Sequence, residues 1–497
     1  MRQRSKEEQW HQAVENAGQL PDYLYINGER VYDSSLQSIE SVDPGSGRSI
    51  GAVPAGNRQS IEAAVVAARS ALQGPWRDLP PRERGQLLWR VGEAIRADKA
   101  RLALVETLDN GKPLKDAEVC VERCADYFCY YAGMADKLEG SSVPLGAGKV
   151  CFTEHVPIGV TGHIIPWNVP LNMIARGLAP ALTCGNTAVV KPAEDTSMTA
   201  LLVVELMEKV GIPPGVVNVV SGYGHEAGQA LAEHPDVHHV TFTGSVATGK
   251  TVMSAAAQHI ASVSLELGGK SPHIILDDAD LDRAVPDIVR AVFANSGQIC
   301  SAGTRLLVQK GIYNELLDRL TQASSKLTLG HGLDNKDLGP LVSAKQLDTV
   351  NGFATRAEAR GIKFVSGGQP VHPEGFEQGF YFPPSIAMDV PVDDELANDE
   401  VFGPILSVIS VDDLEEAITI GNNSDYGLAA GIHTRDINRA LKFARGIDAG
   451  QVYINGYHGA GDTVPFGGFK HSGIGREKGL AALNAYYEIK SVVVTLC

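Results

Sequence analysis

The sequence predicts an α/β protein with two lobes of similar size, each built on a parallel sheet covered by helices. Short apolar runs alternate with helical patterns from 150 to 265, and a second alternating set runs from about 270 to 470. Strands that alternate with helices are typical of a parallel sheet with helices on its faces. The length agrees, because 497 residues at roughly 150 residues per domain suggest two to three domains.

Helical patterns dominate the part of the chain that precedes the first sheet. Residues 1–20 form a polar lead-in, and Asn110-Gly111 is expected to end a helical stretch. Apolar residues are spaced for helices over Ser60–Leu72, after Pro80-Pro81 and over Pro113–Asp136. The strands expected in the first lobe are Gly159–Ile165, Thr187–Val190, Val216–Val220 and Val240–Phe242, with helices near Thr199–Val210 and Glu226–Glu233.

Two β segments are expected outside both lobes. The first is the polar, glycine-marked stretch 139–153, and the second is the apolar run Lys490–Cys497. An exposed apolar strand at a chain terminus promotes aggregation unless another strand pairs with it. The sequence therefore suggests that subunits associate by strand pairing.

Composition excludes several classes of function. The formal net charge is −16, and an acidic chain is a poor candidate for binding nucleic acid or an anionic membrane. The seven cysteines are odd in number and contain no CxxC pair, no apolar run could span a bilayer, and the opening residues are too charged for a secretory signal. We therefore expect a reducing, cytoplasmic compartment with free thiols. The clustered Cys120, Cys124 and Cys129 lack partners at metal-ligand spacing, so no metal site is expected.

A cysteine and a glutamate stand out as a possible catalytic pair. Cys300 ends the polar stretch Phe293-Ala-Asn-Ser-Gly-Gln-Ile-Cys300, 34 positions after Glu266 in Leu265-Glu-Leu-Gly-Gly-Lys270. A thiol nucleophile and a carboxylate base on glycine-bearing segments suit acyl transfer through a thioester. Taken alone, each residue would more often be a buried thiol or a solvated charge, but the flanking sequences favour the catalytic interpretation.

A glycine-rich loop has two interpretations. The expected strand His239–Thr243 leads into Gly244-Ser-Val-Ala-Thr-Gly249-Lys-Thr251, which matches the phosphate-loop pattern GxxxxGK[ST]. This match makes a P-loop-type nucleotide hydrolase an alternative function. The loop could instead bind a dinucleotide, with Gly244 in the turn and with Ser245 and a helix N-terminus facing the pyrophosphate. Periodicity alone does not choose between these two interpretations.

Seven motifs in order give the chain a resemblance to the aldehyde dehydrogenase superfamily, in its NAD(P)-dependent hydrolytic branch. The motifs are Ile165-Pro-Trp-Asn168, Lys191-Pro-Ala-Glu194, Phe242-Thr-Gly-Ser245, Leu265-Glu-Leu-Gly-Gly-Lys270, Gly297-Gln-Ile-Cys300, Glu400-Val-Phe-Gly-Pro404 and Pro465-Phe-Gly-Gly-Phe-Lys470. Each motif is moderately specific, but the ordered set is very specific. The match to a phosphate loop then looks accidental. A catalytically retired member of the same fold is the other alternative, and the retained Cys300, Glu266 and Asn168 argue against it.

The resemblance implies a fold and a mechanism. It implies two Rossmann-like lobes and a small β oligomerisation arm: residues 1–138 and 154–265 bind the dinucleotide, 266–470 carry the catalytic cysteine, and 139–153 with 484–497 form the arm of a homodimer or homotetramer. In the family's mechanism Cys300 attacks the aldehyde carbon, and the side-chain amide of Asn168 with the Cys300 N–H stabilises the oxyanion. Hydride then leaves to the nicotinamide, and Glu266 activates the water that hydrolyses the thioester.

The resemblance also implies a set of residues that bind the cofactor. The expected cofactor is NAD rather than NADP, because a carboxylate at Glu194 would bind the adenosine ribose hydroxyls and repel a 2′-phosphate. The expected cofactor-binding residues are Trp167, Lys191, Glu194, Gly244, Ser245, Gly249, Gly268, Glu400 and Phe402.

One departure from the common pattern bears on the substrate. Eight positions after Asn168, where many members carry tryptophan, this chain has Arg176. An arginine there resembles branches that act on carboxylate-bearing semialdehydes or on aromatic aldehydes, and guanidinium both binds carboxylate and stacks on rings. Arg176 could equally form a structural ion pair, and Ala294 stands where the carboxylate branch has a second arginine. Tyr457 and His458 lie in a loop expected to line the substrate mouth.

Overall fold

The computed structural model describes residues 5–457, 459 and 461–496. The predicted substrate residue His458 lies outside these ranges. In this part of the chain, the search for a helix both long and apolar enough to cross a membrane finds none.

The helices and strands follow the predicted alternation. The helices are α1 (Lys6–Ala17), α2 (Arg58–Ala71), α3 (Pro75–Asp78), α4 (Pro81–Ala97), α5 (Lys99–Asn110), α6 (Leu114–Ala132), α7 (Pro170–Thr183), α8 (Met198–Lys209), α9 (Gln229–Ala232), α10 (Val246–Ala257), α11 (Leu281–Phe293), α12 (Tyr313–Ser324), α13 (Ala344–Ala359), α14 (Glu395–Asn398), α15 (Leu414–Asn422) and α16 (Ile437–Gly446). The strands are β1 (Leu24–Ile26), β2 (Glu29–Val31), β3 (Ser38–Asp43), β4 (Arg48–Pro54), β5 (Ser142–Val143), β6 (Lys149–Pro157), β7 (Val160–Ile164), β8 (Thr187–Lys191), β9 (Val217–Val219), β10 (His239–Thr243), β11 (Ser262–Glu266), β12 (Pro272–Ile275), β13 (Arg305–Gln309), β14 (Lys363–Ser366), β15 (Ser385–Met388), β16 (Ile405–Val411), β17 (Ala429–His433), β18 (Gln451–Ile454), β19 (Gly473–Ile474) and β20 (Tyr487–Thr495).

Two predicted helices differ from the observed ones by more than two residues. Helix α6 ends at Ala132 rather than at Asp136, with Gly133 as its C-cap, as expected where a poor helix former interrupts the pattern. The helix predicted near Glu226–Glu233 starts as a wider π-helical turn over Gly224–Gly228 before the short α9. Glycine at both ends of this turn lowers its preference for a regular α-helix.

The first sheet has eight strands in the order β19-β11-β10-β7-β8-β9-β1-β2. Strands β11, β10, β7, β8 and β9 are parallel, whereas β19 and the β1–β2 hairpin join the edges in antiparallel fashion. The chain runs from β7 outward to β8 and β9, then returns to place β10 on the other side of β7. Open α/β sheets bind ligands at such a reversal, outside the carboxyl ends of the strands. The crevice after β7 and β10 is therefore the expected cofactor site.

The second sheet has seven strands in the order β14-β15-β16-β13-β12-β17-β18. All neighbouring pairs are parallel except β14–β15. Both sheets are covered on two faces. Alternate residues of a strand point to opposite faces of its sheet, and here they belong to different apolar clusters. In β8, Ala188 and Val190 join one cluster and Val189 another, which is the period-2 pattern of a buried parallel strand.

A third, three-stranded sheet stands apart in the order β20-β6-β5. Strands β6 and β20 pair antiparallel along their whole length, from Tyr487↔Pro157 to Thr495↔Lys149. The apolar C-terminal strand therefore finds its first partner within its own chain. Within the described residues its other edge pairs with no strand.

Candidate active site

The predicted nucleophile follows a strained turn. Helix α11 ends at Phe293, and Asn295, Ser296 and Gly297 have φ values of 51°, 54° and 73°. A Cβ on Gly297 would lie 2.2 Å from the Gly403 carbonyl oxygen, so only glycine fits there. Three successive left-handed residues store backbone strain, which is typical of functional sites. They deliver Cys300 to a partly exposed position.

The surroundings of Cys300 oppose ionisation of its thiol. Burial raises the pKa of Cys300 to about 12, while the positive charge of Arg176 acts in the opposite direction. The carboxylates Glu400 and Glu266 add to the rise. Both carboxylates therefore oppose formation of the Cys300 thiolate.

Asn168 lies directly against the segment that carries Cys300. It follows β7 in the tight connection to α7, and its Nδ2 donates to the Gln298 carbonyl oxygen at 2.9 Å. Its own carbonyl oxygen accepts from Asn295 Nδ2 at 3.2 Å. The structure thus brings Asn168 and the Cys300 turn together from opposite lobes. An amide carries two N–H donors, so one donor remains beyond the bond to Gln298.

Glu266 is the last residue of β11 and is almost fully buried. A Cβ on Gly467 would lie 2.8 Å from its Oε1, which shows how closely that loop covers the carboxyl group. Among the described residues, Oε2 has no hydrogen-bond partner. Burial raises the pKa of Glu266 well above its ordinary value, the nearby Glu477 raises it further, and Arg176 opposes both. A carboxyl group held this way is suited to accept a proton near neutral pH.

The loop with two interpretations forms a short strand–helix junction. Only Gly244 and Ser245 separate β10 from α10, and Ser245 caps the helix by accepting from the Thr248 N–H at 3.2 Å. Gly249 and Lys250 lie inside the helix, and a Cβ on Gly249 would meet Leu267 at 2.6 Å. A phosphate loop needs the residues before the lysine in an open loop around the phosphates. This geometry does not support the alternative of a P-loop-type nucleotide hydrolase, whereas a helix N-terminus directly after a strand suits a dinucleotide.

A second carboxylate closes the crevice from the other lobe. Glu400 Oε1 accepts from the Gly269 N–H at 3.0 Å. A Cβ on Gly268 would lie 2.0 Å from Glu400 Oε2, so this contact requires glycine. Burial raises the pKa of Glu400 to about 7. The following Phe402 packs edge-on against Trp167, with ring centroids 5.1 Å apart, so the structure brings these two predicted cofactor residues together.

Lys191 and Glu194 form an ion pair at the end of β8. Their Nζ and Oε2 atoms are 2.9 Å apart. Lys191 is buried, while the side chain of Glu194 retains 39% exposure. Burial opposes ionisation of Glu194, but the charge of Lys191 outweighs it and lowers the pKa of that carboxyl. Glu194 is thus a charged, partly exposed carboxylate just after the carboxyl end of β8.

Arg176 lies in the wall beside Glu266 and has a carboxylate partner of its own. Its Nε forms an ion pair with Glu477, and both side chains are nearly buried. Its guanidinium carbon is 4.4 Å from the centroid of the Phe466 ring. The ion-pair alternative weighed for Arg176 is the arrangement that the structure shows.

Tyr457 occupies a different position from the predicted one. It is fully buried, and its hydroxyl donates to the Ser301 carbonyl oxygen at 2.9 Å. It therefore supports the segment that carries Cys300 from behind, and the expectation that it lines the substrate mouth is wrong. Tyr457 lies three positions after the end of β18. Its ring packs beside His273, and this burial explains why it does not line the substrate mouth.

Three residues of this site were absent from the sequence prediction. Glu477 and Lys478 stand after Gly475-Arg in a charged stretch that looks like a solvated turn, and Phe466 was part of a motif without an assigned role. The backbone of Phe466 pairs with Glu477 through two N–H···O bonds of 2.7 Å. Nothing in the sequence joined Glu477 to Arg176, because the two residues lie about 300 positions apart.

The fold and this site define a two-lobed α/β dehydrogenase, and comparison with known proteins agrees. The chain matches the family model described as Aldehyde dehydrogenase family over residues 31–492. An aldehyde dehydrogenase of Emericella nidulans is 40% identical over 471 residues, which cover 94% of each chain. A betaine aldehyde dehydrogenase of Staphylococcus aureus, solved in complex with NAD+, has a TM-score of 0.95 at 34% identity and covers 98% of this chain and 97% of that one. An aldehyde dehydrogenase of Bacillus cereus in complex with NAD+ has a TM-score of 0.94 at 38% identity, with 100% and 99% covered.

The chain belongs to the aldehyde dehydrogenase family. It is accordingly an enzyme of aldehyde oxidation, as the ordered motifs predicted.

Proposed function

We propose that this protein oxidises an aldehyde to a carboxylic acid with NAD, through a thioester on Cys300 that water then hydrolyses. One observation carries the proposal: a thiol, a buried carboxyl group and a side-chain amide from different elements meet at one crevice, at the reversal of the first sheet. Nucleophile, base and oxyanion donor are the three groups that this reaction needs.

In the first step Cys300 loses its thiol proton, and the sulfur forms a bond to the aldehyde carbon while the carbonyl π bond breaks and its electron pair moves onto oxygen. The developing oxyanion accepts from the free N–H of Asn168 Nδ2 and from the Cys300 backbone N–H. Each such donor contributes roughly 3–4 kcal/mol to stabilising the transition state. The strained turn before Cys300 holds the sulfur and the backbone donor in fixed relation, so little reorganisation accompanies the reaction.

The last step is hydrolysis of the thioester, which forms once the adduct has lost its hydride; water adds to the acyl carbon, the C–S bond breaks, and the Cys300 thiolate is released. Glu266 takes a proton from the attacking water, and its raised pKa brings its basicity towards the working pH. Arg176 limits this rise. The buried ion pair of Arg176 with Glu477 thus sets how much of Glu266 is available as a base.

The donor set fits NAD. When bound, NAD accepts the hydride that leaves the substrate carbon. The N-terminus of α10 suits the pyrophosphate, and Glu194 suits free ribose hydroxyls better than a 2′-phosphate. Glu400, held by the Gly269 N–H, suits the second ribose, with Phe402 and Trp167 beside it. Relatives solved with NAD+ support this choice.

The substrate is proposed to be an aromatic or carboxylate-bearing aldehyde. Arg176 and Phe466 support a ring or a planar acyl chain near Glu266 because guanidinium and phenyl groups both stack. We further propose that residues 1–138 and 154–265 bind the dinucleotide, that 266–470 form the catalytic domain, and that 139–153 with 484–497 join two or four identical subunits.

Absorbance at the NADH band tests the proposal, with NAD or NADP and a graded set of aldehydes. NADH is expected with NAD. Cys300→Ala is expected to abolish turnover while a titration still shows bound NAD. Oxidation by that variant near the parental rate would end the assignment of the nucleophile. Binding of NAD by the parent without NADH from any aldehyde would favour a catalytically retired member of the fold.

A further inference from the structure

Lys478 occupies an unusual backbone position next to the base. It follows the Phe466–Glu477 backbone pair and precedes Gly479, whose N–H donates to the Asp462 carbonyl oxygen at 2.9 Å. Its φ is 61°, a left-handed value that a long side chain adopts only when its surroundings enforce it. The two flanking hydrogen-bonded contacts supply that constraint and fix the direction of the side chain.

The Lys478 ammonium shares an aromatic ring with Arg176. Its Nζ is 5.2 Å from the centroid of Phe466, and the Arg176 guanidinium carbon is 4.4 Å from the same centroid. Two cations on one ring repel each other, although each is attracted to the ring. Such an arrangement stores unfavourable electrostatic energy that an anion would relieve.

The two cations differ in how they are neutralised. Arg176 has Glu477 as an ion-pair partner, whereas Lys478 makes no ion pair with any residue that the structure describes. Asp462 attracts the Lys478 ammonium without forming an ion pair with it, and its carboxylate also accepts a hydrogen bond from Tyr127. Lys478 is therefore a partly desolvated cation in a cluster of three cations, with Arg176 and Arg123, and two carboxylates, Asp462 and Glu477.

The pKa of Lys478 is lowered in this cluster. Burial lowers the pKa of Lys478 to about 8, and the positive charges of Arg176 and Arg123 contribute to the decrease. Asp462 and Glu477 oppose it without restoring the ordinary value.

Lys478 also lies within electrostatic reach of the chemistry. Gly467, the residue after Phe466, closely approaches Glu266, and the charge of Lys478 acts to lower the pKa of Glu266. Phe466 thus belongs to the loop that covers Glu266 and also has the Lys478 ammonium near its ring. An aldehyde group at Cys300 and a charged group at Lys478 would therefore be separated by a stretch that packs on Phe466.

We propose that Lys478 and Phe466 form a distal subsite that binds the carboxylate of a carboxylate-bearing aldehyde. The ammonium binds the carboxylate, and the ring packs against the part of the substrate between the two functional groups. This inference rests on the proposed function, since it narrows the substrate of the same site to one chemical class.

A matched pair of substrates tests the subsite: benzaldehyde and 4-carboxybenzaldehyde, which differ by one carboxylate. The parent is expected to have the higher kcat/KM on the carboxylate substrate. Lys478→Met keeps the length of the side chain without its charge. We expect it to lower the ratio of the two kcat/KM values by about tenfold to a hundredfold, the loss typical of one hydrogen bond to a charged group. The change should lie mainly in KM, because the contact is made in the ground state as well.

Two further variants separate binding from folding. Lys478→Arg keeps the charge and is expected to retain most of the ratio. Lys363→Met removes an exposed lysine in the other lobe and should leave the ratio as in the parent. The subsite would be overturned if Lys478→Met left the ratio of the two kcat/KM values unchanged, whether or not both values fell. Failure of the parent to form NADH with either aldehyde would instead overturn the proposed function.

Discussion

Arg176 and Glu477 form a charged pair in the interior, with side-chain exposures of 10% and 5%. Removing one member of a buried pair leaves the other charge without compensation and costs about 3–5 kcal/mol. Replacing both members by apolar residues of similar volume is often neutral. The pair therefore allows the structural role of Arg176 to be measured separately from any contact with substrate.

Arg176→Leu is expected to lower the free energy of unfolding by about 3–5 kcal/mol, because Glu477 is left buried and unpaired. The double variant Arg176→Leu/Glu477→Leu should recover most of that loss. Urea unfolding of the parent, the single variant and the double variant measures both quantities. A single variant as stable as the parent would show that the pair carries no structural role.

Glu266 leads to a prediction about pH. Its carboxyl must be ionised to act as a base, and burial and Glu477 raise its pKa. Hydrolysis of the thioester should therefore slow as pH falls through a midpoint above the ordinary glutamate value. Glu477→Gln removes the repelling carboxylate, so the pKa of Glu266 should fall and the acid limb should move to lower pH. Steady-state rates across pH with NAD measure this shift.

Glu266→Gln is the matched control for that profile. It removes the base but leaves Cys300 in place, so one equivalent of NADH should form rapidly before turnover stalls. Stopped-flow absorbance detects the burst. An acid limb that stays in place in Glu477→Gln, or a Glu266→Gln variant with no loss of steady turnover, would contradict the role given to Glu266.

The sequence predicted which single residues lie at the site where those residues belong to short local motifs. Cys300, Glu266 and Asn168 lie in short motifs, and the structure brings them to one crevice. Tyr457 and the partner of Arg176 were not predictable in this way, because burial of Tyr457 and the ion pair with Glu477 depend on contacts between distant parts of the chain. Sequence patterns report local preferences, while such contacts are set by how the lobes pack.

At the scale of elements, the crevice depends on segments that approach closely. Gly268 and Gly269 follow β11 and meet the segment after α14, where Glu400 accepts from the Gly269 N–H. A side chain at position 268 would occupy the place of the Glu400 carboxylate. The Glu400 carboxylate can therefore reach the proposed cofactor site only if the loop after β11 has no side chain at position 268.

Gly268→Ala is expected to displace Glu400 and to raise the Kd for NAD by about tenfold to a hundredfold, as for loss of one hydrogen bond to a charged group. Titration of NAD by protein fluorescence measures the change. Gly311→Ala is the control, since a Cβ at position 311 would contact nothing within 4 Å. Similar affinities for NAD in the two variants would contradict the proposal that the absence of a side chain at position 268 lets Glu400 bind the cofactor.

Strands could be predicted from the sequence where an apolar run was long enough to be recognised. Strands β7, β8, β9 and β10 of the first sheet were recognised from short apolar runs, and their alternation with helices predicted parallel pairing. Strand β11 was not among the predicted strands. The antiparallel edges formed by β19 and by β1–β2 were not recognised, because two- and three-residue strands are too short to show a period. Their pairing follows from sheet edges already present rather than from their own sequence.

At the scale of the whole molecule, the three-stranded sheet presents a surface that the single chain does not cover. Strand β20 leaves one edge without a strand partner among the described residues. Ile489 and Val493 on one face of it are 63% and 55% exposed. Exposed apolar patches and open strand edges mark sites of association. We therefore expect β20 to pair with its counterpart in a second copy of the chain.

The double variant Ile489→Lys/Val493→Lys tests this association. In a twofold-symmetric interface each substitution occurs twice, so four added charges would face a surface that is otherwise apolar. The parent is expected to have the mass of two or four chains by light scattering after size exclusion, and the variant a smaller assembly. Ile437→Lys, at a residue 62% exposed on α16, is the matched control and should keep the parental mass. A parent with the mass of one chain, or a variant with unchanged mass, would contradict association through this strand.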